Sequence, residues 1–532
     1  MATLPPNPNN AHPSRHFPPL PTDVELVSLY PADLELVNAQ ILFRHGERTP
    51  VRARFQTWGL APFWPYCTIA QRFTHAIVNL PFASDNNDEH GSAGGQNIVP
   101  AEYVRKLESV AKHVPFNLPV PAHAGTGRSP QLSSTFSTDN LCMLGELTDL
   151  GRRTGFILGE RLRWLYVDKL NFLPDRFSDP SFFYFRSSHI SRSNETLLSL
   201  LHALYPPTLR DGLRPTIFTR LFPQENSYPN DENCKRLSEL GFMFAEIVAS
   251  RWNPILARQD GVSGAVRDAV PDGVAIDGSP RASGIFDTVS SCVAHGVDLP
   301  DGFKRADVVA TIRDAVVDEW YLGVQKSAEY RRLAVGALVG DFLYRIKTAA
   351  AAHTASNIEP SASYKLWLPF WRSQPQPQVK PEKLALYASH DTTIASILSA
   401  LRVFDNTWPP FTSDLRFELF ADTPTTITTT STTPPNYYVR LTYNDVPLTL
   451  PSCAKYYKTD KTLCSLQQFE AAVNEFIPRD WERECRQNLG KPVLDNDSIA
   501  QEYSAVAQQR RQNRHDHGQD DDDSVQMVKP QA

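Results

Sequence analysis

The chain has 532 residues, with 53 Lys plus Arg against 59 Asp plus Glu and a formal net charge of −6. A general binder of nucleic acid or anionic membrane presents a basic surface, so that class is excluded. Hydrophobic content of 41% and charged content of 21% are those of a globular chain long enough for a large core, and no run approaches the roughly 18–20 apolar residues of a membrane helix.

Residues 1–30 open MATLPPNPNNAHPSRHFPPLP. They lack the apolar run of a signal peptide and read as a disordered, proline-rich arm. Seven cysteines, at 67, 142, 234, 292, 453, 464 and 485, are an odd count at low density. They read as the reduced thiols of an intracellular protein, cytoplasmic first and mitochondrial second, with a Cys453–Cys464 bridge left open.

Leu36-Val37 and Ile41-Leu42-Phe43 then spell a buried strand. Within one residue the chain turns polar, as Arg44-His45-Gly46-Glu47-Arg48-Thr49-Pro50. A strand ending in a glycine turn places its next side chains at the carboxyl edge of a sheet, where α/β folds hold ligands. Two guanidiniums and one imidazole would repel each other unless an anion lay between them, and guanidinium forks fit phosphate oxygens.

The stretches 84–97 and 115–130 are polar, Gly- or Pro-rich connections. Helical spacing follows at Leu150, Thr154, Ile157, Leu158, Leu162 and Leu165, with Thr148 and Asp149 as caps. Phe182–Phe185 is an aromatic strand ending in Arg186-Ser187-Ser188, and a helix starts near Arg192. Residues 238–350 are mainly helical, broken at 259–284, and 371–382 is a Pro/Gln linker. Leu384–Ala388 is a third strand, ending in Ser389-His390-Asp391 before a helix with Ile394, Ile397, Leu398 and Leu401 on one face. Leu415, Phe417 and Leu419 alternate as in a strand, 423–435 is a Thr/Pro tract, and 437–443 with 446–450 form a hairpin around Asn444-Asp445. From 501 the chain becomes an acidic, disordered tail.

Three strand ends therefore bring Arg44, His45 and Arg48, then Arg186, then His390 and Asp391 to one edge. The cluster suits a phosphate group, with the helix after His390 adding its N-terminal amides. His45 is the candidate nucleophile and Asp391 the proton donor for the departing oxygen. No HExxH or CxxC spacing is present, and the arginines supply the charge a metal would bring, so no metal or other cofactor is expected.

These residues resemble the histidine acid phosphatases of the phosphoglycerate-mutase-like superfamily, whose RHGxRxP signature is Arg44 to Pro50 here and whose HD pair is His390-Asp391. The segments 403–420, 287–300 and 453–469 are similar to the lysophosphatidic acid phosphatase branch. The resemblance covers most of 35–480. It implies a three-layer αβα sandwich with a mostly parallel central sheet, within one phosphatase domain over 31–500. The core would be 31–60, 141–210 and 380–480, with an inserted helical cap from 60–140 and 210–350. It implies hydrolysis of phosphate monoesters through a phosphohistidine at His45, with Arg44, Arg48, Arg186 and His390 on the phosphoryl oxygens and Asp391 as general acid. Arg52 becomes a candidate pocket residue or a solvated one, Asp287 and His295 become candidate pocket residues or helix-capping or core ones, and Arg192 is read as a partner for substrate or for a core carboxylate. The expected partner is a small phosphomonoester, with a lysophospholipid as one candidate, and not nucleic acid; the oligomeric state is left open. The alternatives are a catalytically inactive phosphate-binding scaffold and a phosphomutase. A mutase would use Glu as its proton donor, which the His390-Asp391 pair disfavours.

Overall fold

The architecture is described from a computed structural model, over residues 13–79, 97–105, 140–357, 381–422 and 435–516. The strands are β1 (Leu34–Arg44), β2 (Arg72–Asn79), β3 (Asn97–Val104), β4 (Phe183–Ser187), β5 (Ile217–Phe218), β6 (Leu384–Ser389), β7 (Asp414–Asp422), β8 (Tyr437–Tyr443), β9 (Val446–Leu448), β10 (Tyr456–Tyr457) and β11 (Asp460–Ser465). The main sheet runs β10-β11-β8-β7-β1-β6-β4-β5, with β9 on β8, while β2 and β3 pair separately.

From β5 to β1 the strands are parallel. From β1 outward through β7 and β8 they are antiparallel. The parallel half carries the two strand ends, β1 and β6, that matter most for chemistry. Parallel strands are covered on both faces, and the pleat shows how. Ile41, Phe43, Phe183, Phe185, Leu384 and Leu386 pack under helices Asp149–Arg163 and Ser191–Leu204. Leu42, Ala385, Tyr387 and Phe417 face the opposite layer, built from helices Lys235–Leu256, Ala306–Lys326, Ala337–Asn357 and Asp391–Ala400. Each large apolar side chain so buried contributes about 1.5–3 kcal/mol. The inserted helices do not stand apart from the sheet, since Phe244, Ile312 and Phe342 share one core with Tyr387 and Leu415. The first two helices cross closely because Gly159 has no side chain; a Cβ there would lie 2.3 Å from Leu200 O.

The hairpin between β8 and β9 forms as expected, with Asn444 and Asp445 at φ of 47° and 66°. This left-handed pair is what a tight primed turn demands. The connections read at 84–97 and 115–130, most of the 371–382 linker and of the Thr/Pro tract, and residues 1–12 and 517–532 lie outside the described residues, except at their margins.

Both expected tails need correction. From Pro13 the N-terminal arm is placed: Ser14 bridges Phe411, Arg15 is buried, and Arg161 Nη1 donates to Pro18 O at 2.8 Å. Helix Asp23–Leu29 begins with a Thr22/Glu25 capping box and buries Leu26. At the other end, helix Asp497–Asp516 is pinned to Lys235–Leu256 by Arg251–Glu502 and Arg510–Glu246 ion pairs, both at 2.6 Å. Composition suggested disorder at both ends, but a few buried contacts per segment offset the ordering entropy.

The cysteines are also corrected. Cys67–Cys142, Cys234–Cys485 and Cys453–Cys464 are disulfides, and Cys292 alone is free and buried. The odd count reflects one leftover thiol. Two of the pairs are 75 and 251 residues apart, so only the fold brings them together. Alkylation of the oxidised, denatured protein should therefore label one cysteine, Cys292, and labelling after reduction should reach seven. Reduction should lower the thermal midpoint, each bridge being worth about 2–4 kcal/mol. Three or more labelled positions before reduction would contradict the pairing.

Candidate active site

Arg44 ends β1 level with Ser389 at the end of β6, so both strands stop at one sheet edge. The chain must turn there against helix Asp149–Arg163. Gly46 and Gly151 make that possible: a Cβ on either would lie 2.2 Å from a backbone oxygen, of Gly151 and Glu47 respectively. Gly46 N donates to Thr196 Oγ1 at 3.0 Å, and Thr148 N donates to Glu47 O at 3.0 Å. The fully buried Glu47 carboxylate accepts from Thr154 Oγ1 at 2.5 Å. It braces the turn through that contact.

His45 is 1% exposed. Its Nδ1 lies 2.9 Å from Gly46 O. A carbonyl can only accept, so Nδ1 carries the proton and Nε2 keeps its lone pair. Burial, then Arg192, Arg44, Arg48 and His390, hold the His45 imidazole well below its ordinary pKa. The ring therefore stays neutral at pH values where an ordinary histidine begins to take up a proton. His390 caps helix Asp391–Ala400, packs edge-on to His45 with centroids 5.6 Å apart, and has Nε2 3.1 Å from Ser188 Oγ. Burial and then Arg192 push it down to about 3.

Arg44 is fixed from three sides. Nη2 pairs with Asp391 Oδ2 at 2.7 Å, Nη1 donates to Pro409 O at 2.5 Å, and the guanidinium lies 3.9 Å from the Phe411 ring centre. Asp391 also accepts from Thr392 N at 2.8 Å and Trp408 Nε1 at 3.0 Å. Burial would raise its pKa, but Arg44 and Arg48 outweigh burial and hold the carboxyl below the usual range.

Arg48 Nη1 donates to Asp287 Oδ1 at 2.7 Å, and Asp287 Oδ2 accepts from Val51 N at 3.1 Å. Arg54 approaches the same carboxylate at 3.8 Å. Asp287 thus orients Arg48 and ties down the segment after the turn. It does not line the pocket as a free carboxylate. Arg54 had no signal in the sequence beyond its closeness to Arg48. Arg52 is exposed, next to this cluster but outside its buried part.

His295 takes the capping and core reading and not the pocket one. Its Nε2 is 2.9 Å from Thr148 Oγ1, its Nδ1 is 2.8 Å from Ser291 O, and it stacks on Tyr66 at 5.4 Å. Eight residues put it on Asp287's face of the helix, but also about 12 Å further along the axis. One end of that face reaches Arg48, and the other supports the cap of helix Asp149–Arg163.

Arg186 is a correction. It pairs with Tyr387 across the sheet, whereas Arg44 pairs with Ser389. It therefore sits two residues, roughly 6–7 Å, below the sheet edge. Its guanidinium is buried on Glu225 Oε1 at 2.5 Å, Asn226 Oδ1 at 2.6 Å and Asp341 Oδ2 at 3.4 Å. The mid-chain arginine that acts on the imidazoles is Arg192, whose charge, after burial, does most to hold both His45 and His390 below their ordinary range. Burial and then Arg48 lower Arg192 itself to about 9, because a buried cation beside another cation is disfavoured. Helix Ser191–Leu204 holds Arg192 near the turn, since Thr196 Oγ1 donates to Arg192 O at 2.8 Å and accepts from Gly46 N.

Arg44, Arg48 and Arg192 around a neutral imidazole, with one carboxylate in direct contact with Arg44, define a site built to take a phosphoryl group. Over residues 35–444 the chain matches the histidine phosphatase superfamily (branch 2), and it belongs to that family as a phosphatase. A probable acid phosphatase of Schizosaccharomyces pombe is 32% identical over 491 residues, 86% of this chain and 95% of that protein. Human lysophosphatidic acid phosphatase type 6 is 30% identical over 278 residues, 52% of this chain and 57% of that one. Hafnia alvei phytase in complex with tartrate aligns with a TM-score of 0.47 at 16% identity, over 86% of this chain and 99% of the phytase.

The two arginines should separate cleanly. Arg192→Met should lower kcat/KM by roughly 10²–10³-fold, the scale of one lost transition-state donor, with little change in thermal midpoint. Arg186→Met strands the buried Glu225 and should cost about 3–5 kcal/mol of stability. Turnover per folded molecule checks the assignment, and loss of it in Arg186→Met alone would reverse the roles.

The histidines predict a pH effect on stability. His45 and His390 titrate lower in the folded chain than the ordinary value of 6.5, His390 at about 3. Between those values the unfolded chain binds more protons, so stability should fall as pH drops from 6.5 toward 3. Thermal melts across that range check this; a His390→Gln variant should show a shallower fall.

Proposed function

We propose that this phosphatase hydrolyses phosphate monoesters through a phosphohistidine on His45. The observation that carries the reading is the hydrogen bond from His45 Nδ1 to Gly46 O, which leaves Nε2 as the only nucleophilic nitrogen in the ring. Arg44, Arg48, Arg192 and His390 hold the phosphoryl oxygens. Nε2 forms a bond to phosphorus as the ester P–O bond breaks, and Asp391 gives its proton to the departing oxygen. Water then attacks phosphorus, the P–N bond breaks, the Asp391 carboxylate takes the water's proton, and phosphate leaves.

Asp391 is held ionised by Arg44 in the free protein. A bound phosphate dianion shares Arg44's charge and returns the carboxyl toward protonation. The site then favours acid, where Asp391 can be protonated while His45 stays neutral. This balance supports a working acid phosphatase over an inactive scaffold, and the Asp391 proton donor supports hydrolysis over mutase chemistry.

For the substrate, a lysophospholipid such as lysophosphatidic acid is the finer reading, supported by the 30% identity to human lysophosphatidic acid phosphatase type 6. For the compartment, three disulfides support an oxidising environment over the cytoplasm.

General acid catalysis is worth roughly 10²–10⁴-fold and matters most for a basic leaving group. Asp391→Asn should therefore slow glycerol phosphate or lysophosphatidic acid far more than p-nitrophenyl phosphate, and should flatten the loss of kcat, which reports the substrate-bound enzyme, toward neutral pH. Equal losses on both substrates would reduce Asp391 to a structural role. A panel of lysophospholipid, sugar, nucleotide and inositol phosphates tests the substrate class.

A further inference from the structure

The N-terminal arm precedes the family match, which starts at residue 35, and yet it packs on the segment that frames the catalytic turn. Three stretches of backbone lie side by side. In the middle runs 409–414. On one side, Arg44 N donates to Ser413 O at 2.9 Å and Thr412 N donates to His45 O at 3.1 Å. On the other side, Phe411 N donates to Pro13 O at 2.6 Å and Arg15 N donates to Phe411 O at 3.2 Å. Phe411 thus has both backbone groups committed to the arm, while its ring lies 3.9 Å from the Arg44 guanidinium and 5.9 Å from the His45 ring.

The arm is held there by its own charge. Arg15 is 5% exposed and ion-paired to Asp414 and Asp445. Asp445 also takes Arg416 at 2.6 Å and Arg161 at 3.3 Å, and Asp414 takes Arg416 at 2.6 Å. Three arginines share two carboxylates in a buried network. The Arg15 guanidinium further lies 4.6 Å from the Phe17 ring, and Nη1 reaches Thr412 O at 3.5 Å. A buried cation with two carboxylate partners is not a loosely lying tail.

We propose that residues 13–17 are a working part of the active site and that Arg15 is a positioning residue for it. By clamping the backbone of Phe411 from behind, the arm keeps the aromatic ring on Arg44, so that one Nη remains on Asp391 and the guanidinium plane stays aligned for a phosphoryl oxygen. Neither Arg15 nor the arm touches substrate. This rests on the reading of Arg44 as a phosphate ligand.

The test is competitive inhibition by inorganic phosphate, measured with p-nitrophenyl phosphate on the full chain. An inhibition constant does not depend on what fraction of the enzyme is folded, so mere loss of stability leaves it unchanged. Arg15→Met should raise both the phosphate inhibition constant and KM several-fold and lower kcat by between about ten- and a hundredfold, the scale of a small misplacement of a catalytic group. Arg15→Lys, which keeps the charge and folds if the methionine variant does not, should recover part of each. Phe411→Leu should give the same pattern, and combining it with Arg15→Met should add little. Phosphate inhibition and KM equal to wild type in both Arg15 variants would overturn the role of the arm while leaving the reading of Arg44 intact. Wild-type enzyme unaffected by phosphate would overturn that reading, and the arm's role with it.

Discussion

Positive charge gathered out of water around one imidazole is the constraint on which this structure depends. Arg44, Arg48 and Arg192 bear on a histidine that is 1% exposed. Like charges in a poorly solvated site repel strongly, so each guanidinium has to be anchored. Arg44 is held by Asp391 and the Pro409 carbonyl, Arg48 by Asp287, and Arg192 by its place on a helix tied to Gly46. The same repulsion does useful chemistry. Added to burial, which is the larger cause, it keeps His45 and His390 neutral at pH values where free histidine would be charged, and it makes the site receptive to a dianion.

The scaffold serves that constraint in layers. The parallel half of the sheet ends β1 and β6 at one level, which sets Arg44 beside Ser389. Glycine contacts between the turn and helix Asp149–Arg163 leave the backbone a single path. Behind Arg44, β7 carries Asp414, Arg416 and Glu418 on one face, each paired with another buried charge or hydroxyl. A buried pair adds little net stability but penalises any misregister. That suits a region whose task is to hold other side chains in place.

Much of this was legible in the sequence. The strand-then-glycine pattern at Arg44 to Pro50, the His390-Asp391 pair and the helix after that pair follow from local periodicity and turn chemistry. What failed was non-local. Arg186 mimicked Arg44 by standing near the end of an apolar run, but only strand register reveals that it lies one pleat too low. Arg192, six residues on, belongs to the next helix. His295 shared a helical face with Asp287 but not its depth along the axis. The disulfides join cysteines up to 251 residues apart, and the proline-rich arm is ordered by Asp414 and Asp445, some 400 residues away, with no local pattern to announce either partner.

The most direct test of the central claim is to trap the covalent intermediate. Rapid mixing with ³²P-labelled p-nitrophenyl phosphate, followed by an alkaline quench that preserves P–N bonds, should leave label on the peptide containing His45. The label should be released by acid and be absent from His45→Ala. Turnover with no label on His45, or persisting activity in the alanine variant, would contradict the account.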